Sequence, residues 1–217
     1  MSEKKINIAD IRQEYKLSAL DELTAGQDPI LFFRRWFSEA ENAQITDVNA
    51  MTLATADANG IPHARIVLLK GLENSEFIFF TNYSSFKGRE ISENPFAALV
   101  FFWKELERQV RIEGKIEKVS ATESDTYFNS RPVGSRIGAW ASPQSQEITD
   151  RNILDANYAR YEHEFSDIEM PRPPHWGGYK IIPNYIEFWQ GRASRMHDRI
   201  TFRKNDAGDW RRARLAP

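Results

Sequence analysis

The chain has 217 residues, 41% hydrophobic and 12% aromatic, with 29 basic against 31 acidic side chains and no cysteine. That balance describes a globule of one ordinary to large domain with ample apolar surface to bury, and it excludes a disordered chain. A formal charge of -2 excludes a general attraction to nucleic acid or an anionic membrane, and the lack of cysteine excludes disulfides, thiolate nucleophiles, iron–sulfur clusters and Cys-ligated zinc.

Zero cysteines fit a reducing compartment, so the cytoplasm is the expected location. "MSEKKINIAD" lacks the apolar stretch of a signal peptide, and the longest apolar run, "FAALVFFW" at 96–103, is too short to span a bilayer. The four histidines, His63, His163, His175 and His197, show no HxH or HExxH spacing, and no metal site is assigned.

In chain order, residues 1–27 are polar and read as a mobile N-terminal segment, in which "ADIRQEYKLSAL" has the spacing for a short helix carrying Arg12 and Tyr15 on one face. Asp28 before Pro29 is a helix start, and Ile30, Phe33, Phe37 and Ala40 form the apolar stripe of the helix that follows. "MTLATADANGIPHARIVLLKGL" reads as a hairpin turning at Asn59-Gly60, a dipeptide that tolerates positive φ at both positions. "EFIFFTN" and "FAALVFFW" are further strands, and between them a helix opens at Ser84 or Ser85 and ends before Pro95. "RQVRIEGKIEKV" alternates as a half-exposed strand, and Ser120 with Glu123 makes a capping box for a helix to about Ser130. A helix over about 149–166 carries Leu154, Tyr158, Tyr161 and Phe165, and "GGYKII", "YIEFWQG", "RMHDRITFRK" and "DWRRARL" read as a closing antiparallel meander with its last turn at Asp206 to Gly208.

About seven to eight strands interrupted by helices, with no βα alternation, point to a mainly β (α+β) barrel dressed with peripheral helices, one domain over 28–217. No G-x-G-x-x-G and no P-loop pattern is present.

The polar clusters each have two readings. Arg195, His197 and Arg199 stand at alternate positions, so a strand would gather them on one face, either a solvated stripe or an anion site beside Phe188 and Trp189. Arg65 and Lys70 flank a very apolar strand at an odd separation, so a shared site requires a bulge or a strand end; otherwise they snorkel apart. Thr81, Ser84, Ser85 and Lys87 sit at a strand-to-helix junction, fit for phosphate or for plain capping. Tyr127 and Arg131 lie one helical turn apart with Ser135 beyond, which suits a site or an ordinary basic helix end.

Taken together, "RIVLLK", "TN", "ERQVRIEGK", "YFNSRP", "SRIGAWASPQS", "WGGY", "IEFWQG", "RMHDR" and "RLAP" occur in this order, and the chain from about Arg12 to Pro217 closely resembles the pyridoxine (pyridoxamine) 5'-phosphate oxidase family. The resemblance implies an FMN-binding split β-barrel with Greek-key-like strands, working as a homodimer with two active sites at the subunit interface. It implies an oxidoreductase of vitamin B6 metabolism, a pyridoxal 5'-phosphate synthase. Pyridoxine or pyridoxamine 5'-phosphate would pass a hydride from C4' to flavin N5, dioxygen would be reduced to hydrogen peroxide, and the amine substrate would release ammonia.

By similarity, FMN would be held at its phosphate by Arg65 and Lys87, by the strand at Ile66, Val67, Leu68 and Lys70, by Phe80 and Thr81, and by Gln109, Gln144, Ser145, Trp189 and Arg199. The substrate would meet Lys70, Tyr127, Arg131, Ser135, Arg195 and His197, with Arg195 and His197 the catalytic candidates that orient it and handle the C4' proton. Arg12 and Tyr15 would belong to a segment that closes over it. Phe80 stands where a Tyr is common, and Phe86 where an Arg often flanks the phosphate-binding Lys, so weaker FMN retention is expected. The alternative is a split-barrel flavin or heme binder without oxidase activity, against which Arg131, Ser135, Arg195 and His197 speak.

Overall fold

The computed structural model describes residues 14–217; Arg12 lies outside them. They form two compact units. The terminal unit takes the described residues up to Val48 with 102–110 and 186–217, and the central unit takes 49–101 and 111–185.

In the terminal unit, a single turn of helix, α1 (Glu22–Ala25), precedes α2 (Pro29–Asn42). The Asp28 carboxylate caps α2, accepting from the backbone N–H groups of Ile30 at 2.8 Å and Leu31 at 3.1 Å. The buried stripe of α2 is Ile30, Phe32, Phe33, Trp36 and Ala40, with Phe37 only half buried. Phe32 and Trp36 pack on Phe188 at ring separations of 4.4 and 5.3 Å. Residues 14–20 are not helical, so the expected helix does not extend over Tyr15.

The central unit opens with β1 (Ala50–Ala56) and β2 (Pro62–Leu68), antiparallel with Leu53 opposite Arg65. The hairpin is present, but its turn differs from the expected one. Of the Asn59-Gly60 pair only Gly60 has positive φ, at 80°, because Asp57 organises a longer loop by accepting from the N–H groups of Asn59 and Ile61, both at 2.9 Å. There follow β3 (Gly71–Glu73), β4 (Glu76–Asn82), α3 (Phe86–Glu93), β5 (Phe96–Trp103), β6 (Arg108–Lys118), α4 (Ala121–Ser130), α5 (Val133–Ala141), α6 (Asn152–Glu164) and β7 (Trp176–Gln190). Then β8 (Asp198–Lys204) and β9 (Trp210–Leu215) form a hairpin in the terminal unit, turning at Gly208 with φ 87°. The strand order is β2-β1-β5-β6-β7-β4-β3, with β8 pairing β7 and β9. Strands β5, β6 and β7 contribute residues to both units.

Among the described residues nine strands form where about seven to eight were expected, and three local differences have physical causes. Helix α5 was not anticipated, since Gly134 and Gly138 lower its propensity and Pro132 supplies no side-chain cap; burial of Ile137 and Ala141 holds it. "GGYKII" and "YIEFWQG" are one strand, not two. Pro183 is tolerated inside β7 because Gly114 on β6 has no side chain: a Cβ there would sit 2.1 Å from the Ile182 carbonyl oxygen and 2.9 Å from Pro183 Cα. Strand β8 begins only at Asp198, because Ser194 and Arg195 adopt φ values of 56° and 60° in a 3-10 turn. The alternation expected for Arg195, His197 and Arg199 therefore does not apply. No helix among the described residues is long and apolar enough to cross a membrane.

Candidate functional site

The central unit holds a cavity of about 870 Å³, lined from β2, β4, α3, α4, α5 and the start of β7. Twelve of the expected residues line it: Arg65, Ile66, Val67, Leu68, Lys70, Phe80, Thr81, Lys87, Tyr127, Arg131, Ser135 and Gln144. Asn82, Ser142 and Trp176 also line it and were missed. Four cations converge there, with no carboxylate among the lining residues.

Local structure explains each placement. Arg65 and Lys70 share the cavity because regular β2 ends at Leu68, so Lys70 sits at the strand end, its N–H donating to the Ile78 carbonyl at 2.8 Å. Lys87 stands in the first turn of α3, which Ser85 caps with its side chain while donating its own hydroxyl to the Asn82 carbonyl at 2.7 Å. Burial lowers the Lys87 pKa, the Arg65 charge lowers it further, and Glu90 opposes both. Thr81 donates its hydroxyl to Gln144 Oε1 at 3.4 Å.

Arg131 ends α4, which the expected capping box opens: Ser120 accepts from the Glu123 N–H at 3.1 Å and Glu123 reaches back to the Ser120 N–H at 3.3 Å. Its guanidinium lies 4.6 Å above the Trp176 ring, its Nη1 is buried without a hydrogen-bond partner, and burial lowers its pKa. Phe80, Tyr127 and Trp176 form a near-parallel set, with Phe80 and Tyr127 stacked at 3.8 Å and Tyr127 and Trp176 only 4° apart in plane. A buried guanidinium nitrogen without an acceptor is costly unless a ligand supplies one. Phe86 is 57% exposed and lies outside the lining, beside the Arg89 guanidinium at 4.8 Å.

Ser145 is not among the lining residues; it follows Gln144 with φ 67°. Gln109, Trp189, Arg195, His197 and Arg199 belong to the terminal unit. There Tyr15, Trp189 and His197 form one ring cluster, with Trp189 to His197 at 4.6 Å and Tyr15 at 5.7 and 5.8 Å from them. The Arg192 N–H donates to His197 Nδ1 at 3.1 Å, which leaves the proton of the neutral ring on Nε2. Burial, then the Arg195 charge, lowers the His197 pKa. Arg199 is bidentate to the buried Glu187, at 2.9 and 3.1 Å, and donates to the Ala216 carbonyl at 3.0 Å.

A family model described as pyridoxamine 5'-phosphate oxidase matches residues 37–164, and one described as the pyridoxine 5'-phosphate oxidase C-terminal dimerisation region matches residues 176–217. The chain belongs to the pyridoxine/pyridoxamine 5'-phosphate oxidase family. Among its oxidase relatives, pyridoxine/pyridoxamine 5'-phosphate oxidase 1 of Ralstonia nicotianae is 56% identical over 97% of this chain and 99% of its own length. A namesake from Pseudomonas paraeruginosa is 56% identical with the same coverage. The solved structure of PhzG from Burkholderia lata 383, in complex with tetrahydrophenazine-1-carboxylic acid, matches with a TM-score of 0.86 at 30% identity over 93% of this chain and 99% of that one. A pyridoxamine 5'-phosphate oxidase-related, FMN binding protein from Nostoc punctiforme matches over 88% of this chain and 100% of that one, with a TM-score of 0.70 at 16% identity, a likeness of fold alone. The oxidase family fold is thus the expected antiparallel split barrel with peripheral helices.

Proposed function

We propose that the protein oxidises pyridoxine 5'-phosphate or pyridoxamine 5'-phosphate to pyridoxal 5'-phosphate, with FMN as cofactor and as a homodimer. The observation that carries this reading is the cavity itself: four cations and no carboxylate among its lining residues, with one buried guanidinium nitrogen of Arg131 left without a partner, suit two phosphate monoesters in one space. Arg65 and Lys87 would hold the FMN phosphate, with the β2 segment Ile66–Leu68, Lys70, Phe80, Thr81, Gln144 and Ser145 around the rest. When bound, FMN supplies the two-electron acceptor for oxidation at C4' and is reoxidised by dioxygen, with hydrogen peroxide and, from the amine, ammonia as products.

The chain's own residues bind and orient. Lys70, Tyr127, Arg131 and Ser135 anchor the substrate phosphate, and an anchor remote from C4' still contributes to rate by fixing the reacting carbon. Arg195 and His197 approach the substrate from the C-terminal region matched as the dimerisation region, with Gln109, Trp189 and Arg199 toward the cofactor. With its Nδ1 occupied by the Arg192 N–H, His197 serves as an Nε2–H donor that orients the substrate. Tyr15, packed on Trp189 and His197, supports a closing role for the segment 1–27 ahead of the domain 28–217.

The carboxylic acid named with PhzG raises a second reading, oxidation of a different ring. Four cavity cations exceed the need of a single carboxylate, which favours the phosphorylated substrate. The deciding experiment is purification, a flavin absorption spectrum, and peroxide release on adding pyridoxine 5'-phosphate. A flavin spectrum without peroxide would leave a non-oxidase flavin binder instead.

A further inference from the structure

Glu90 lies on α3 one turn beyond Lys87, and its side chain is 8% exposed. Its Oε2 accepts from Arg65 Nη2 at 3.0 Å and from the Thr55 hydroxyl, and its Oε1 faces His63 Nδ1 at 3.0 Å. The Thr55 hydroxyl in turn accepts from Arg65 Nη1. Arg65 lines the cavity; Glu90, Thr55 and His63 do not. Two of the five guanidinium N–H donors are therefore tied back to β1 and α3, and three remain for a ligand. Burial pushes the Glu90 carboxyl up, but hydrogen bonds from Thr55 and Arg65, together with the Arg65 and His63 charges, outweigh it and hold the group below its ordinary value.

An unrestrained arginine gives up rotamer freedom when it clamps an anion, whereas a restrained one has already lost it. A carboxylate this close also opposes an incoming phosphate by charge. We propose that Glu90, with Thr55, is a positioning residue that presents Arg65 pre-oriented to the cofactor phosphate, and that it acts through hydrogen-bond geometry more than through its charge. This rests on the FMN reading above. Two substitutions separate the two contributions. Glu90→Gln keeps an oxygen acceptor for Arg65 and Thr55 and can turn its amide toward His63, while Glu90→Ala keeps neither acceptor nor charge.

The test titrates the flavin-free full-length protein with FMN and with riboflavin, which has the same ring and no phosphate. Glu90→Ala raises the FMN dissociation constant by about tenfold or more and leaves that of riboflavin within about twofold; Glu90→Gln stays within about threefold of wild type for both. Thr55→Ala gives the same phosphate-selective loss at about threefold and keeps the test open should Glu90→Ala fold poorly. FMN binding unchanged or tighter in Glu90→Ala, or equal losses for both flavins in both alanine variants, overturns the proposal. Glu90→Gln falling as far as Glu90→Ala assigns the effect to charge and overturns the geometric claim. Wild type that binds FMN no better than riboflavin would instead overturn the cofactor reading on which the proposal rests.

Discussion

Arg131 is held by a ring and left one bond short. Trp176 supports its face, and its Nη1 is buried with no acceptor in reach. A charge-assisted hydrogen bond to a substrate phosphate contributes roughly 1.5 to 3 kcal/mol, so Arg131→Ala should raise KM for pyridoxine 5'-phosphate roughly ten- to hundredfold. Steady-state kinetics checks this, and kcat should fall less than kcat/KM. At His197 the prediction is a pH profile. Burial and Arg195 hold its pKa below the ordinary 6.5, so the ring is neutral at pH 7 and gains a proton only as pH falls through that lowered value. Protonation puts a hydrogen on Nδ1 and breaks the bond from the Arg192 N–H, so kcat/KM should fall on that acid side. His197→Asn should lower turnover and lose this limb; full turnover from about pH 6 to 9 would remove His197 from any orienting or proton-handling role. Most cavity side chains were legible as residue types in motifs, but Glu90 was not. In "FKGREISE" its charge reads as a solvated helix face, and only the fold brings Thr55 and Arg65 against it.

At the scale of elements, α3 carries both the cavity cation Lys87 and Glu90, which holds the cavity's Arg65 from behind. Gly88 sets its seat: a Cβ there would stand 2.1 Å from the Tyr83 carbonyl oxygen and 2.8 Å from Tyr83 Cα, and backbone cannot step aside. Gly88→Ala should push α3 outward, costing about 1 to 3 kcal/mol of stability as overpacked sites do, and weaken FMN binding together with it. Denaturant unfolding and flavin titration on the same variant check both; a stable variant with unchanged affinity would show that the helix shifts freely. Elements with a local cause were legible beforehand. Asp28 with Pro29 announced α2, and Ser120 with Glu123 announced α4. Helix α5 was not, because its glycines argue against it and its support comes from Ile137, Ala141 and the Asn157 side chain, which donates to the Ala141 carbonyl at 3.1 Å. Strand alternation failed at Arg195 for a similar reason, since two successive left-handed residues leave no trace in composition.

At the scale of the whole molecule, the candidate residues divide between the two units, and the region 176–217 matches a dimerisation region. If each active site draws Arg131 from one subunit and His197 from the other, Arg131→Ala and His197→Ala chains should complement when assayed far below KM, where each variant alone turns over little. Random pairing of equal amounts makes half of the dimers mixed, each with one intact site, so about a quarter of wild-type activity should return. Co-expression with distinct tags and assay of the mixed dimer checks this; no recovery would place both residues in one subunit's site. Trp176, one of six tryptophans, is a cavity wall that touches the anion-seeking arginine. Its indole is thus an optical gauge built into the floor of the site: occupancy should dim its emission, and the dimming should vanish when phenylalanine replaces it, so that filling can be followed on the unlabelled protein without waiting for turnover.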